Sequence, residues 1–238
     1  TLLSSYGNIV NHNTITNNSG IDLFDSSGNI FGNNVVTSNS HGIGLIDSAE
    51  NTIIRNQIFK NKGYGIFVGE SKNVIKENTV SKNSEGIKIH YSDGSIIHHN
   101  NFINNTENAP EDDYPNINTW DDGYPSGGNY WSDYNGTDLN SGPGQNVSGS
   151  DGIGDTPYKP FPDELPNFWD NYPLMGPVLK TDVNTDGKVN VEDIFAVAKA
   201  FGSYMGHPRW VPMYDINGDG EINIKDLFAI AKDFRKEW

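Results

Sequence analysis

Asparagine returns to the same place in every row when residues 8–105 are written out at a period of 22. Asn13, Asn34, Asn56, Asn78 and Asn100 form one column, at intervals of 21, 22, 22 and 22. Asn18, Asn39, Asn61, Asn83 and Asn105 form a second with the same intervals. Two unbroken columns over five rows define a repeat architecture, and a period of this length is that of a solenoid coil. The segments GIDLF, GIGLI, GIFVG and GIKIH alternate with a period of two, so each coil is built from strands. Ile21 and Leu23, Ile43 and Leu45, Ile66 and Val68, and Ile87 and Ile89 then point inward and stack coil on coil. Val10, Phe31, Ile53, Ile75 and Ile97 supply a second inner column, and Ile15, Val36, Ile58, Val80 and Phe102 a third. Three short strands per coil predict a mainly β fold, a right-handed parallel β-helix over 1–108. The asparagines belong at its inner turns, where side-chain amides hydrogen-bond along the stack at a strand spacing of about 4.8 Å.

Residues 1–7, TLLSSYG, match the end of a row, with Ser5 in the column of Ser26, Ser48, Ser71 and Ser92. A coil left open exposes unpaired backbone and an apolar cross-section. The expectation is therefore further coils before Thr1 in the natural chain, or a second molecule stacked there. The formal charge of −15 repels nucleic acid and anionic membranes and favours divalent cations. With no cysteine, disulfides, thiolate metal sites and cysteine nucleophiles are excluded together. No apolar run reaches the length of a membrane span. Charge divides the chain in three: 1–108 carries 7 basic and 9 acidic residues, 109–179 carries 1 and 12, and 180–238 carries 8 and 10.

The repeat rows resemble the NosD-like repeats of the carbohydrate-binding and sugar-hydrolase class of β-helices. That resemblance implies the fold; it assigns no site, because the motif encodes the coil. The copper chemistry of one branch of that family has no counterpart in these residues, with no cysteine, three methionines and no local His/Met cluster. Enzymes of this fold place carboxylates outside neighbouring coils, and Asp25, Asp47 and Glu70 form such a column, followed by Tyr91. Neighbouring carboxylates about 5 Å apart suit a retaining glycosidase pair or a bound calcium. The other reading is that they cap the turn before Ser26, Ser48 and Ser71. Phe24, Ile46 and Phe67 project outward, where a sugar ring or another protein would stack. His98 and His99 are adjacent, so strand alternation places them on opposite faces, unable to share a metal.

The style changes at 118–138, NTWDDGYPSGGNYWSDYNGTD, followed by SDGIGDTPY at 150–158 and NFWDNYPLM at 167–175. Residues 116–176 resemble the C-terminal extension of archaeal surface proteins that carry these repeats. So many aromatics without strand periodicity predict a lid over the last coil, a cap spanning 109–176. Asp133, Asp138, Asn140, Asp151 and Asp155 are oxygen donors around glycine turns, which suits either calcium binding or turn-capping. Sequons at Asn17, Asn104, Asn135 and Asn146 allow N-glycosylation of an exported chain.

The tail, 177–238, carries two copies of one loop, DVNTDGKVNVED and DINGDGEINIKD, 33 residues apart. Donors fall at loop positions 1, 3, 5, 7, 9 and 12: Asp182, Asn184, Asp186, the Lys188 carbonyl, Asn190 and Asp193, then Asp215, Asn217, Asp219, the Glu221 carbonyl, Asn223 and Asp226. Gly187 and Gly220 stand at position 6, where the calcium loop turns sharply. An amphipathic helix follows each loop, with Ile194, Val197, Ala198 and Phe201, and Leu227, Ile230, Ala231 and Phe234, as its apolar face. Because no helix precedes the first loop, this is not a sensor pair. Over 180–238 the loop–helix duplication resembles a type I dockerin. That resemblance implies folding on calcium and docking to a cohesin-like receptor. It also implies specificity carried by positions 10 and 11, here Val191 and Glu192, and Ile224 and Lys225.

These observations predict a noncatalytic extracellular or cell-surface β-helix protein with a small α-helical, calcium-binding docking tail. Its partners would be a cohesin-like protein, other subunits or a polysaccharide. Two alternatives stay open: a polysaccharide-degrading enzyme using the Asp25, Asp47 and Glu70 column, and a filament or envelope subunit.

Overall fold

A computed structural model describes residues 1–110, 117–159, 169–184 and 188–235, apart from the Pro212 side chain. It divides into two compact units, 1–175 and 176–238. In the first, three parallel sheets wrap one core, and each coil gives one strand to each sheet. One sheet stacks Leu2–Leu3, Ile21–Phe24, Ile43–Ile46, Tyr64–Gly69 and Glu85–His90. The next stacks Ile9–Asn11, Ile30–Gly32, Thr52–Ile54, Val74–Lys76 and Ile96–His98. The third stacks Thr14–Thr16, Val35–Thr37, Gln57–Phe59, Thr79–Ser81 and Asn101–Ile103, and gains Tyr130–Trp131 from the segment beyond the repeats. Register pairs Ile66 with Ile43 and Ile87, Ile75 with Ile53 and Ile97, and Val80 with Ile58 and Phe102, so like stacks on like. The inner columns read from the alternation form the core.

Corners follow one rule. An outward residue takes a left-handed backbone, and the next residue turns its side chain inward. Asn33, Arg55, Glu77 and His99 precede Asn34, Asn56, Asn78 and Asn100 in this way, with φ of 51, 56, 58 and 55°. Asp25, Asp47, Glu70 and Tyr91 precede the serine column, with φ of 46, 50, 56 and 49°. At Asn78 the amide donates to the Ile53 carbonyl (2.8 Å), the Lys76 carbonyl (3.0 Å) and Asn100 Oδ1 (2.9 Å). Its own oxygen accepts the Asn56 backbone N–H at 2.9 Å and the Asn56 amide at 3.0 Å. The buried amide at this corner is thereby matched by the coils on both sides of it. A further ladder, Asn8, Asn29, Asn51 and Asn73, continues through Ser95 to Asn118. Gly65 is glycine for a steric reason, since a Cβ there would run into Val80 Cγ1 and the Gly86 carbonyl.

Beyond residue 117 the chain continues the coil without its repeat. Thr119 bridges Ile96, and Trp131 pairs with Phe102. The Trp131 ring stacks between Phe102 and Tyr158, with centroids 4.4 Å from each. Asn129 takes the Asn100 ladder one step further, accepting the Asn100 N–H at 3.1 Å. Asp170 then ends it. One carboxylate oxygen accepts from Asn129 N (2.7 Å), Asn129 Nδ2 (3.3 Å) and Trp131 Nε1 (2.9 Å), and the other from Tyr172 N (3.2 Å). Gly128 makes room, because a Cβ there would occupy the Asp170 carboxylate. The lid expected over the last coil is thus a degenerate coil held by a buried acid.

Truncating Asn78 to alanine would remove one donor from the buried Ile53 carbonyl and the side-chain acceptor of the Asn56 N–H. Asn78→Ala is expected to lower unfolding stability by about 3 kcal/mol or more, and Asn13→Ala, at an exposed end, by under about 1 kcal/mol. Equal small losses in urea denaturation would remove the ladder from its supporting role. Burial pushes the Asp170 carboxyl up to about 7, although its N–H donors pull the other way. The folded chain therefore holds a proton that the unfolded chain releases, and this contribution falls as pH rises from about 4 to about 7. Wild type is expected to lose stability relative to Asp170→Asn across that window, and parallel pH profiles would contradict this.

Candidate functional site

In the second unit two helices, α1 (Val191–Lys199) and α2 (Ile224–Asp233), each begin where a duplicated loop ends. The loop residues build that start. Asn190 and Asn223 are N-caps, their side-chain oxygens accepting the N–H of Glu192 at 2.7 Å and of Lys225 at 2.9 Å. Asp193 and Asp226 close the capping boxes on the Asn190 and Asn223 N–H, both at 2.8 Å. Their other oxygens accept from the loop's beginning: Val183 and Asn184 N–H at 2.8 and 3.3 Å, and Ile216 and Asn217 N–H at 2.8 and 3.2 Å. Position 12 therefore ties both loop ends together, a role that reading the residue only as a metal donor misses.

Asp215, at position 1, turns onto the N–H groups of Gly218, Asp219 and Gly220 at 2.8, 3.1 and 2.9 Å. Asn217 accepts the Asp219 N–H at 2.8 Å. Asp182, Asp193, Asp215 and Asp226 are all buried. Burial raises the Asp215 carboxyl pKa, opposed by its N–H donors, and the Asp226 charge raises it again. Lys188 and Glu221, at position 7, have exposed side chains, and there the backbone carbonyl is the expected donor. The exposed Lys225 ammonium sits 2.7 Å from Asp219 Oδ2, one cation drawn to the second loop's carboxylates. An all-oxygen donor set with buried, mutually repelling carboxylates fits a hard divalent cation such as calcium. Asp186 and Gly187 lie outside the described residues.

Helix burial corrects the predicted apolar face. Val197 and Ile230 are fully buried, joined by Val183, Val189, Ala200 and Ile222. Ala198, Ala231, Phe201 and Phe234 are exposed, the two phenylalanines because they lie past the last helical turn, where the face no longer continues. Exposed instead along one stripe per helix are Val191 (50%) with Phe195 (62%), and Ile224 (51%) with Phe228 (65%). These four positions are i and i+4 pairs at the first turns of duplicated helices. Glu192 and Lys225, expected to bear on specificity, are exposed beside them.

In the first unit, Asp25, Asp47 and Glu70 occupy left-handed corners with exposed side chains. The sheet face before that corner carries Phe67, expected to face outward, beside Asp22, His41 and Tyr64, which the sequence did not single out. His41 Nε2 lies 2.8 Å from Asp22 Oδ1, and the His41 ring packs 4.8 Å from Tyr64. Phe67 follows at 5.3 Å from Tyr64, and His90 packs edge-on to Tyr91 at 4.4 Å. Burial, with the Asp22 charge second, pushes the Tyr64 hydroxyl pKa up to about 12. The acidic middle caps turns. Asp155 accepts from Thr137, Leu139 and Asn140, Asp138 from Ser150, Asp151 and Gly152, Asp151 from Gly142, Gln145 and Ile153, and Asp133 from Asn108 and Tyr158. Asn17, Asn104, Asn135 and Asn146 are exposed.

His98 and His99 contradict the alternation argument. His99 is the left-handed corner residue, not a strand residue, so both rings reach the same side, with Nδ1 atoms 3.1 Å apart.

Comparison with known families gives two matches. The model for the family described as "Periplasmic copper-binding protein (NosD)" matches residues 1–136, and the dockerin type I domain model matches 180–235. No curated protein and no solved structure matches the chain. The first match covers more than half of the sequence, and the chain belongs to the NosD family.

Proposed function

We propose that this member of the NosD family is a noncatalytic β-solenoid protein of the cell exterior that docks to a cohesin-type receptor through its calcium-loaded C-terminal unit. The observation carrying this reading is the duplicated exposed stripe, Val191 with Phe195 and Ile224 with Phe228, at the start of the two helices whose N-termini the loops build. Exposed apolar side chains repeated at equivalent places on a small domain mark an interaction surface. Calcium enters as the counter-charge of the loops: with it bound, the carboxylates at positions 1 and 12 lose their mutual repulsion and the helix starts are held rigid. Among the described residues no helix is long and apolar enough to cross a membrane. Soft copper held by thiolate or thioether ligands is no part of this reading. A soft copper site draws on thiolate and thioether ligands. The chain has no cysteine, and of its three methionines Met175 lies in the first unit and Met205 and Met213 in the second.

A second reading is supported by the Asp22, His41, Tyr64 and Phe67 group. Rings and polar tips together on an outward sheet face suit a polysaccharide, with the sugar stacking on the rings.

Chelating calcium is expected to abolish the helical circular dichroism of residues 176–238 while the β-signal of the solenoid persists. Asp226→Ala should weaken calcium binding in the same experiment, and helices insensitive to chelator would defeat the calcium assignment. In calorimetry with a panel of recombinant type I cohesins, at least one is expected to bind only with calcium present. Phe195→Ala combined with Phe228→Ala should then cost about 2 kcal/mol or more, roughly thirtyfold in Kd. Failure of every cohesin to bind the calcium-loaded chain would overturn the docking partner.

A further inference from the structure

The last coil of the solenoid ends at a corner that the docking function leaves unused. His98 closes the strand Ile96–His98, His99 makes the corner, and Asp122 comes from the segment that completes the coil. One ligand atom from each of the three lies within 4.8 Å of the others. His99 is buried, His98 half-buried and Asp122 exposed, so the group opens to solvent on one side. Nitrogens bound to one tetrahedral zinc at about 2.0–2.1 Å are roughly 3.3 Å apart. The two Nδ1 atoms, at 3.1 Å, already stand at nearly that separation.

Orientation is fixed by partners outside the three. His99 Nε2 lies 2.8 Å from the Ser126 carbonyl oxygen, which only accepts, so Nε2 carries the proton and Nδ1 presents its lone pair toward His98. Ser126 Oγ donates to Asp122 Oδ2 at 2.8 Å and lies 3.3 Å from His99 Nε2. One serine thus steadies a ring through its carbonyl and a carboxylate through its hydroxyl, the arrangement found around metal ligands. The loop carrying it is closed by Asp122 N–H to the Gly127 carbonyl, 2.9 Å, and Gly127 N–H to the Gly123 carbonyl, 2.8 Å. With His99 Nδ1 as the acceptor, the 3.1 Å contact is a hydrogen bond donated by His98 Nδ1, and a bound cation would take the place of that one proton. Lys76, in register with His98 one coil earlier, lies 3.8 Å from Glu77.

We propose that His98, His99 and Asp122 form a binding site for a divalent first-row transition ion of nitrogen and oxygen preference, zinc being the representative case. Ser126 is its positioning residue. Two imidazoles and one carboxylate leave a coordination position for water or a small ligand. The donor set is too rich in nitrogen for calcium. The site lies within the first unit and stands independently of the docking reading.

The test uses the full chain saturated with calcium, so that the two loops are occupied. Titration calorimetry with Zn²⁺ is expected to show a site in wild type that calcium does not compete for. His98→Gln and Asp122→Asn, at half-buried and exposed positions, should each weaken that site at least about tenfold, and Ser126→Ala by about tenfold. With Co²⁺ as the probe, wild type should develop visible absorption that His98→Gln lacks. Zinc affinity unchanged in both ligand variants, or no zinc taken up by wild type, would overturn the assignment. Cohesin binding measured without zinc reports on the docking unit alone, so loss of one activity leaves the other readable.

Discussion

Each coil of the first unit closes only because the buried amide at its corner finds partners in the next coil. A corner turned by a left-handed residue leaves backbone N–H and carbonyl groups facing the core, where an unpaired group costs about 1–3 kcal/mol. Inward asparagine resolves this with one side chain, donating to carbonyls and accepting the N–H of the coil before it, as Asn56, Asn78 and Asn100 show. The solution is cooperative by construction, because each asparagine needs the one after it. It also explains why the outward corner position tolerates Asn, Arg, Glu and His alike, while the inward one repeats.

A ladder of this kind needs an end, and the end cannot be another copy of itself. The chain supplies Asp170, an acid buried under the last rung, one of whose oxygens takes the N–H groups that a further asparagine would have taken. Trp131 does the same for the apolar column, replacing an aliphatic side chain by a ring large enough to be covered by Tyr158. Leaving the repeat has a second effect. The segment that completes the last coil brings Asp122 and Ser126 against a corner that in earlier coils faces only the next repeat.

The second unit reuses a few polar groups for two tasks. Asn190, Asp193, Asn223 and Asp226 are helix caps by geometry, and the proposed calcium binding would give them a second task as donors. Capping alone leaves two buried acids repelling each other in the second loop, and that repulsion is what the proposed divalent cation would relieve. Because the apolar residues that pack the unit take one side of each helix, Val191 and Phe195, with Ile224 and Phe228, are left on the other.

The sequence by itself determined the coil, its three strands, its inner columns and two of its ladders, because contacts between coils recur at the repeat length and are written as columns. It also determined the paired loops ahead of the two helices, whose residues are local in the chain. The ladder through Asn29, Asn51 and Asn73 was less legible, since Ser95 interrupts it. Only the tertiary structure decided what the period does not encode. Asp170 meets Asn129 from 41 residues further along a chain that no longer carries the repeat. His99 escapes strand alternation because a corner's left-handed φ rotates its side chain to the side of His98, and alternation holds only within a strand. The Phe195 and Phe228 faces became exposed because the helices pack through Val197 and Ile230, a choice set by the loops that aim the helices and not by the apolar pattern alone.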